Sequence, residues 1–280
     1  MYSDLIPHVK PQHFHHVASV LREVFTSLGY LEVHPQNRLS ILAACEDPHT
    51  IATFNYAGEL WPLPQTNQMW LEFELLKNPD LPGIFCLTTS YRNEPTPVLG
   101  RHHLAFPMFE FEGRGNFEDL LKIEEQIISA FGYSTDNTKS VSYQEACDKY
   151  DVTVLKDIHE KELCTEEQPV VFLYDFPEHT NPFWNMERNG DVAKKADVLM
   201  AGMETIGSAE RSSDPTQMLS SFAAIENGKY SDKLFGLFGE KRVMDELNDF
   251  LKLSFFPRFG GGIGLTRLIR ALNIAGRLSE

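Results

Sequence analysis

The sequence is short of positive charge. Lys and Arg number 25 against 40 Asp and Glu, a formal net charge of −15 over 280 residues. Gripping a long stretch of nucleic acid takes many basic side chains against phosphates, so this balance argues against DNA as a partner and against a broad nucleic-acid footprint. A small basic cleft remains compatible with it, because local charge can oppose net charge. No run of 18 apolar residues is present, which excludes a membrane-spanning helix. The opening MYSDLIPHVKPQHFHH has no charged segment followed by an apolar one, so no secretory signal is expected. Cysteine is scarce, and Cys45, Cys86, Cys147 and Cys164 form no CxxC pair. That argues against a zinc site and fits a reducing, cytoplasmic setting. There is neither an internal repeat nor a low-complexity tract.

What is present is apolar material for a substantial core: 42% of residues are hydrophobic, enough for one large domain or two modest ones. Residues 12–28 place Phe14, Val17, Ala18, Leu21, Val24, Phe25 and Leu28 at helical steps, with Gly29 where a cap belongs. Tyr30 to Val33 reads as a short strand ended by Pro35. A helix over Met69 to Lys77 is closed by the breaker run 78–83. Ile84 to Tyr91, a loop with Pro95, Pro97 and Gly100, and Leu104 to Glu112 predict a long antiparallel hairpin. Asn116 is placed to cap a helix through Ile128. Val170 to Tyr174 and Ala196 to Ala201 read as strands; Asp214 to Glu226 and Gly239 to Leu251 read as helices. Hairpin strands with helices between them indicate an α+β domain on an antiparallel sheet.

Two segments carry chemistry. The hairpin holds Arg92 and Glu94 before its loop and Arg101, His102 and Phe106 after it. An arginine fork suits phosphate oxygens, and an aromatic ring can stack on a purine. The alternative is an exposed hairpin with solvated charges. Near the C-terminus, Gly260-x-Gly262-x-Gly264-x-x-Arg267 reads as a glycine-rich turn opening a helix, suited to close backbone approach to a ligand or to close strand–helix packing. No βαβ unit follows it, so it is not a dinucleotide fingerprint. The His15-His16 and His102-His103 pairs are not read as metal ligands, since adjacent side chains do not face one ion.

Taken together, these segments resemble the class II aminoacyl-tRNA synthetases. Arg92-x-Glu94 and its hairpin resemble motif 2, and Gly260 to Arg267 resembles motif 3. The helix at 12–28 running into Leu28 to Pro35 resembles motif 1. Ala43 to Glu46, Gln65 to Glu72, Asp197 to Leu199 and Glu204 to Arg211 resemble pocket segments of the asparaginyl and aspartyl branch. The resemblance implies one catalytic domain over 1–280, with about 135–180 as a variable insertion, and an antiparallel sheet flanked by helices. It implies an ATP-dependent ligase with ATP and an amino acid as substrates and Mg²⁺ as cofactor, working as a homodimer.

By resemblance, Arg92 holds the α-phosphate, Glu94 meets the adenine amino group, and Phe106 and Arg267 sandwich the base. Arg101, with His102 beside it, holds the γ-phosphate, and Gly262 and Gly264 let the backbone approach the nucleotide. Asp197 and Glu204 carry Mg²⁺. Glu46, Gln68 and Glu110 face the amino acid's polar atoms, and Arg211 reads a carboxylate or amide on its side chain.

Two substitutions depart from the pattern. Leu71 stands three residues after Gln68, where aspartate-specific relatives place lysine, and Ala105 replaces a glutamate before Phe106. With only about ten residues before motif 1, no anticodon-binding domain is expected. The resemblance therefore implies an aminoacyl adenylate passed to a small amine, as in asparagine-synthetase-like ligases. tRNA as acceptor and a silent regulatory paralogue are the alternatives.

Overall fold

The computed structural model describes residues 8–35, 39–44, 46–97, 103–166 and 168–278. Arg101 and His102 lie outside the described residues. Helix α1 (Pro11–Ser27) leads to β1 (Leu31–Glu32), and Gly29 between them takes φ +80°, a left-handed turn that only glycine adopts without strain. The small hairpin β2 (Thr53–Tyr56) and β3 (Glu59–Pro62) precedes α2 (Gln68–Lys77). The long hairpin forms as expected: β4 (Gly83–Tyr91) pairs antiparallel with β5 (Ala105–Arg114), from Gly83 opposite Gly113 to Tyr91 opposite Ala105. In α3 (Phe117–Ala130), Asn116 forms a capping box with Asp119.

The 135–180 region builds β6 (Thr138–Ser142), α4 (Tyr143–Tyr150), α5 (Asp157–Glu166) and β7 (Val170–Pro177). The two strands extend the main sheet past β9 (Val192–Met200), which also carries the short β8 (Arg188–Asn189). Next come β10 (Met203–Arg211), α6 (Pro215–Ala224), α7 (Lys229–Phe238), α8 (Glu240–Leu251), β11 (Arg258–Gly264) and α9 (Leu265–Ile274). Among the described residues the main sheet runs β1-β4-β5-β11-β10-β9-β7-β6. Only the β1–β4 and β6–β7 pairs on that path are parallel, so the sheet is mostly antiparallel and flanked by helices, as the sequence predicts.

Several boundaries differ from the sequence-based reading. Gly260 to Gly264 is not a turn but part of β11, paired on both sides with β5 and β10. The segment before it, Met203 to Arg211, is a central strand that propensity does not announce. β9 stops at Met200 because Ala201 turns left-handed, with φ +50°. α6 stops at Ala224, since Glu226 and Asn227 are also left-handed.

The sheet's two faces differ in chemistry. On one, Val17, Leu21 and Phe25 of α1, Leu120 and Ile127 of α3 and Leu268 and Leu272 of α9 close over Phe109, Phe111, Ile206 and Ile263. Truncating a fully buried ring such as Phe25 to alanine costs about 3–5 kcal/mol. Because strand side chains alternate, β5 turns Met108, Glu110 and Glu112 to the opposite face. Both glutamates are fully buried. Buried acids along one face of a central strand require partners, and those partners build the site.

Candidate active site

On that face lies a cavity of about 530 Å³, within the range of small-molecule sites. Its lining includes Glu46, Gln68, Arg92, Glu94, Phe106, Glu204, Arg211, Gly262, Gly264 and Arg267. Residues from both ends of the chain thus meet at one place. Glu110 and Asp197 do not line the cavity.

One end holds two arginines, each beside an acid. Arg92, at the end of β4, is fixed by its own N–H, which donates to the Leu104 carbonyl at 2.8 Å. Its guanidinium pairs with Glu46 and lies 6.0 Å from the Phe106 ring centroid. Burial lowers its pKa, while neighbouring Glu204 raises it and Arg267 lowers it further. Arg267, on the first turn of α9, donates to the Glu204 carbonyl at 3.1 Å and pairs with its carboxylate at 3.5 Å.

The other end is a buried ion network. Arg211 Nη2 donates to Glu112 Oε1 at 2.6 Å and to Gln68 Oε1 at 2.6 Å, and its Nε reaches Glu112 Oε1 at 3.2 Å. Glu72 stands 3.9 Å from Arg211 and accepts from Arg258 Nε at 3.0 Å and Asn185 Nδ2 at 3.1 Å. Burial pushes the Glu112 carboxyl up to about 7, against the pull of Arg211 and with the push of Glu72. Arg211 is therefore held along one edge of its guanidinium by Glu112 and Gln68, which orients it.

Glu110, expected beside the substrate, instead anchors α2. It accepts from the Thr66 hydroxyl and from the Asn67 N–H at 2.8 Å. A carboxylate at a helix start is favourable, and here it presents Gln68 to Arg211. Burial raises the Glu110 pKa. Leu71 is likewise away from the cavity, packed with Leu75, Ile84 and Cys86.

Asp197 and Glu204 converge over Gly207. A Cβ there would lie 2.6 Å from Glu204 Oε1 and 3.5 Å from Asp197 Oδ1, so glycine leaves the space between the two acids open. Lys195 pairs with both Asp197 oxygens, and burial nonetheless pushes Asp197 up to about 7. Among the described residues no three His, Cys, Asp or Glu side chains gather as a metal cluster.

Several residues of the site escape sequence reading: Glu72, Glu112, Asn185, Lys195 and Arg258. A signal existed for two of them. Glu112 follows Glu110 by two on one strand, and Lys195 precedes Asp197 by two, so each shares a face with an expected site residue.

The family model for class II tRNA synthetases (D, K and N) matches residues 11–277. The chain belongs to this family. Class II synthetases of this group are ATP-dependent ligases, and several are similar to the chain over most of its length. The asparagine–tRNA ligase of Thermococcus kodakarensis is 26% identical, covering 89% of this chain and 62% of its own length. The lysine–tRNA ligase of Methanospirillum hungatei is 21% identical, covering 90% and 58%. The asparaginyl-tRNA synthetase of Pyrococcus horikoshii, solved complexed with asparaginyl-adenylate, superposes with a TM-score of 0.75 at 22% identity. That superposition covers 93% of this chain and 64% of the other. The chain thus spans about three fifths of the length of the curated relatives it matches.

Proposed function

We propose that this chain activates asparagine, or a close analogue such as aspartate, as an aminoacyl adenylate at the expense of ATP. The observation that carries the reading is the cavity's polarity. Arg92, Phe106 and Arg267 gather at one end, and Arg211, clamped by Glu112 and Gln68, stands at the other.

An oxygen of the substrate carboxylate attacks the α-phosphorus of ATP. The bond from that phosphorus to the α–β bridging oxygen breaks, and pyrophosphate leaves with the electron pair. Arg92 holds the α-phosphate, Glu94 the adenine amino group, and Phe106 and Arg267 the faces of the base. Arg101 and His102 are assigned to the γ-phosphate by resemblance alone. Gly262 and Gly264 admit the nucleotide to the sheet floor. Arg211 and Gln68 meet the substrate side chain, and Glu46 its ammonium group. Asp197 and Glu204 would hold Mg²⁺, since two hard carboxylates converge over Gly207 and oxygen donors are what this ion takes. Bound there, the metal would neutralise phosphate charge. Catalysis is positioning and charge compensation, with no covalent enzyme intermediate.

For the acceptor, the names of the asparagine–tRNA ligases among the relatives favour the terminal hydroxyl of a tRNA. The net charge of −15 favours a small amine, as in an asparagine-synthetase-like ligase. A homodimer through α1 and β1, and a cytoplasmic setting suited to the free, buried thiols of Cys86 and Cys147, belong to the same reading.

Amino-acid-dependent ATP–pyrophosphate exchange across the common amino acids, without tRNA, tests the proposal. Asparagine or aspartate is expected to lead; lysine or an apolar amino acid leading would overturn it. Chasing the preformed adenylate with ammonium or with tRNA then separates the acceptors.

A further inference from the structure

Among the described residues four cationic side chains, Arg92, Lys195, Arg211 and Arg267, line the cavity. Lys195 alone has no task in the adenylation scheme. It lies on β9, opposite Ala209 of β10, while Asp197 lies opposite Gly207. Alternation puts Asp197, Lys195, Gly207, Ala209 and Arg211 on one face. At a rise of about 3.3 Å per residue, Lys195 is stationed roughly 7 Å along the sheet from the carboxylate pair, and about as far from the level of Arg211.

The side chain is held for that station. Its ammonium pairs with Asp197 and lies 3.6 Å from the Phe176 ring centroid, a cation–π contact. It is 21% exposed, enough to reach a ligand yet shielded enough for its charge to act in low dielectric. On β10, Ala209 opposite it and Gly207 opposite Asp197 are too small to obstruct that reach. Each cation of the nucleotide end is paired with one acid, Arg92 with Glu46, Arg267 with Glu204 and Lys195 with Asp197. The chemistry must bring a carboxylate up to a triphosphate in a cavity that already carries Glu46, Glu94 and Glu204. Like charges repel most where the new bond forms.

We propose that Lys195 is a catalytic residue, its ammonium holding the α-phosphate oxygens and the attacking carboxylate together between the Asp197–Glu204 pair and Arg211. The inference rests on the adenylation reading. The carboxylate oxygen bonds to the α-phosphorus, the bond to the bridging oxygen breaks with its electron pair leaving on pyrophosphate, and no proton moves.

The test is adenylate formation in single turnover by Lys195→Met, Lys195→Gln and Lys195→Arg at saturating ATP, amino acid and Mg²⁺. Calorimetric binding of a non-hydrolysable ATP analogue in EDTA and thermal melting accompany it. The Met and Gln variants are expected to lose about 100-fold in rate, the scale of one preorganised donor, and to bind the analogue about 10-fold more weakly in EDTA. Arg should retain most of both. Met or Gln variants that reach wild-type rates at saturation would overturn the proposal, as would a loss matched by unfolding in both. Wild-type protein with neither exchange nor nucleotide binding removes the adenylation reading itself; active wild type beside unaffected variants removes only the role of Lys195.

Discussion

Gly260 lies directly opposite Glu112 in the β5–β11 ladder, and a Cβ at position 260 would overlap the Glu112 carboxylate. The absent side chain lets Glu112 lie across β11 and reach Arg211 on the next strand, β10. A glycine that reads in the sequence as backbone freedom is thus an allowance for an acid. The expected consequence is that Gly260→Ala dislodges Glu112, costing about 1–3 kcal/mol as overpacking and loosening Arg211. Chemical denaturation measures the first effect. A rise in KM for the amino acid of about 10-fold or more, with KM for ATP little changed, measures the second.

Arg92→Ala and Arg267→Ala are each expected to abolish pyrophosphate exchange while leaving the fold intact. Both side chains line the cavity and neither is part of the apolar core. Each would lose a charge-assisted contact worth about 1.5–3 kcal/mol in the nucleotide complex. Exchange near the wild-type rate with a normal melting curve would remove Arg92 and Arg267 from the nucleotide site.

Light scattering at micromolar concentration is expected to return a dimer mass. The deepest residues of the α1 stripe, Val17, Leu21 and Phe25, are used within the chain. Beside them Phe14, Val20, Val24 and Leu28 are only partly covered, and Leu31 on the edge strand β1 is 51% exposed. An isologous dimer would bury such a strip against its own copy across a two-fold axis. Leu31→Glu should convert the dimer to monomer; a monomeric wild type counts against the interface.

The long hairpin was legible because β-forming runs flank a loop rich in Pro and Gly, and α1 because its apolar period is strict. β10 was not, since Glu204 to Arg211 consists, apart from Ile206, of small and charged residues whose strand state is set by β9 and β11 on either side. β11 was misread for a related reason: glycine weakens strand propensity, and only neighbours such as Glu112 and Phe111, filling the missing side chains, explain it. Site residues at motif positions were legible singly. The Glu112–Arg211 pair spans 99 positions of sequence, and nothing local to either residue announces it.

Stability is expected to fall as pH rises, with Glu124 responsible for the upper part of the range. This carboxyl is fully buried on α3, and burial pushes it from 4.5 up to about 8. Ser208 Oγ lies 2.6 Å from Glu124 and 3.1 Å from the Ala196 carbonyl. The Ser208 hydroxyl donates to Glu124 Oε1, which holds the rise back without cancelling it. A raised folded pKa means the native state binds more protons, so this contribution is fully present below about 4.5 and lost as pH rises through 8. Glu112 and Asp197, raised to about 7, add to the slope below that value. In Glu124→Gln, the fall of the denaturation midpoint between pH 7 and 8 should become clearly shallower, the remainder coming from Glu112 and Asp197. An unchanged slope there would mean Glu124 is ionised in the native protein.

Arg211→Leu is expected to raise KM for asparagine and aspartate far more than KM for ATP. Arg211 is 4% exposed and lines the cavity, with Glu112 and Gln68 occupying one edge of its guanidinium. A short side chain carrying an amide or carboxylate oxygen suits such a donor. An apolar side chain would leave the charge opposite hydrocarbon, a costly arrangement. Between the two candidates the local charge decides. Arg211 and Arg258 are matched by Glu72 and Glu112, so an added carboxylate meets a nearly neutral cluster while an amide needs no counter-charge. Asparagine should therefore outcompete aspartate at neutral pH. Protonating Glu112, whose pKa stands near 7, leaves a net positive charge, so the preference should narrow as pH falls from 8 to 6. Exchange assays with each amino acid across that range check both statements. An asparagine-to-aspartate ratio of kcat/KM that does not change with pH would mean that Glu112 does not set the charge of the pocket.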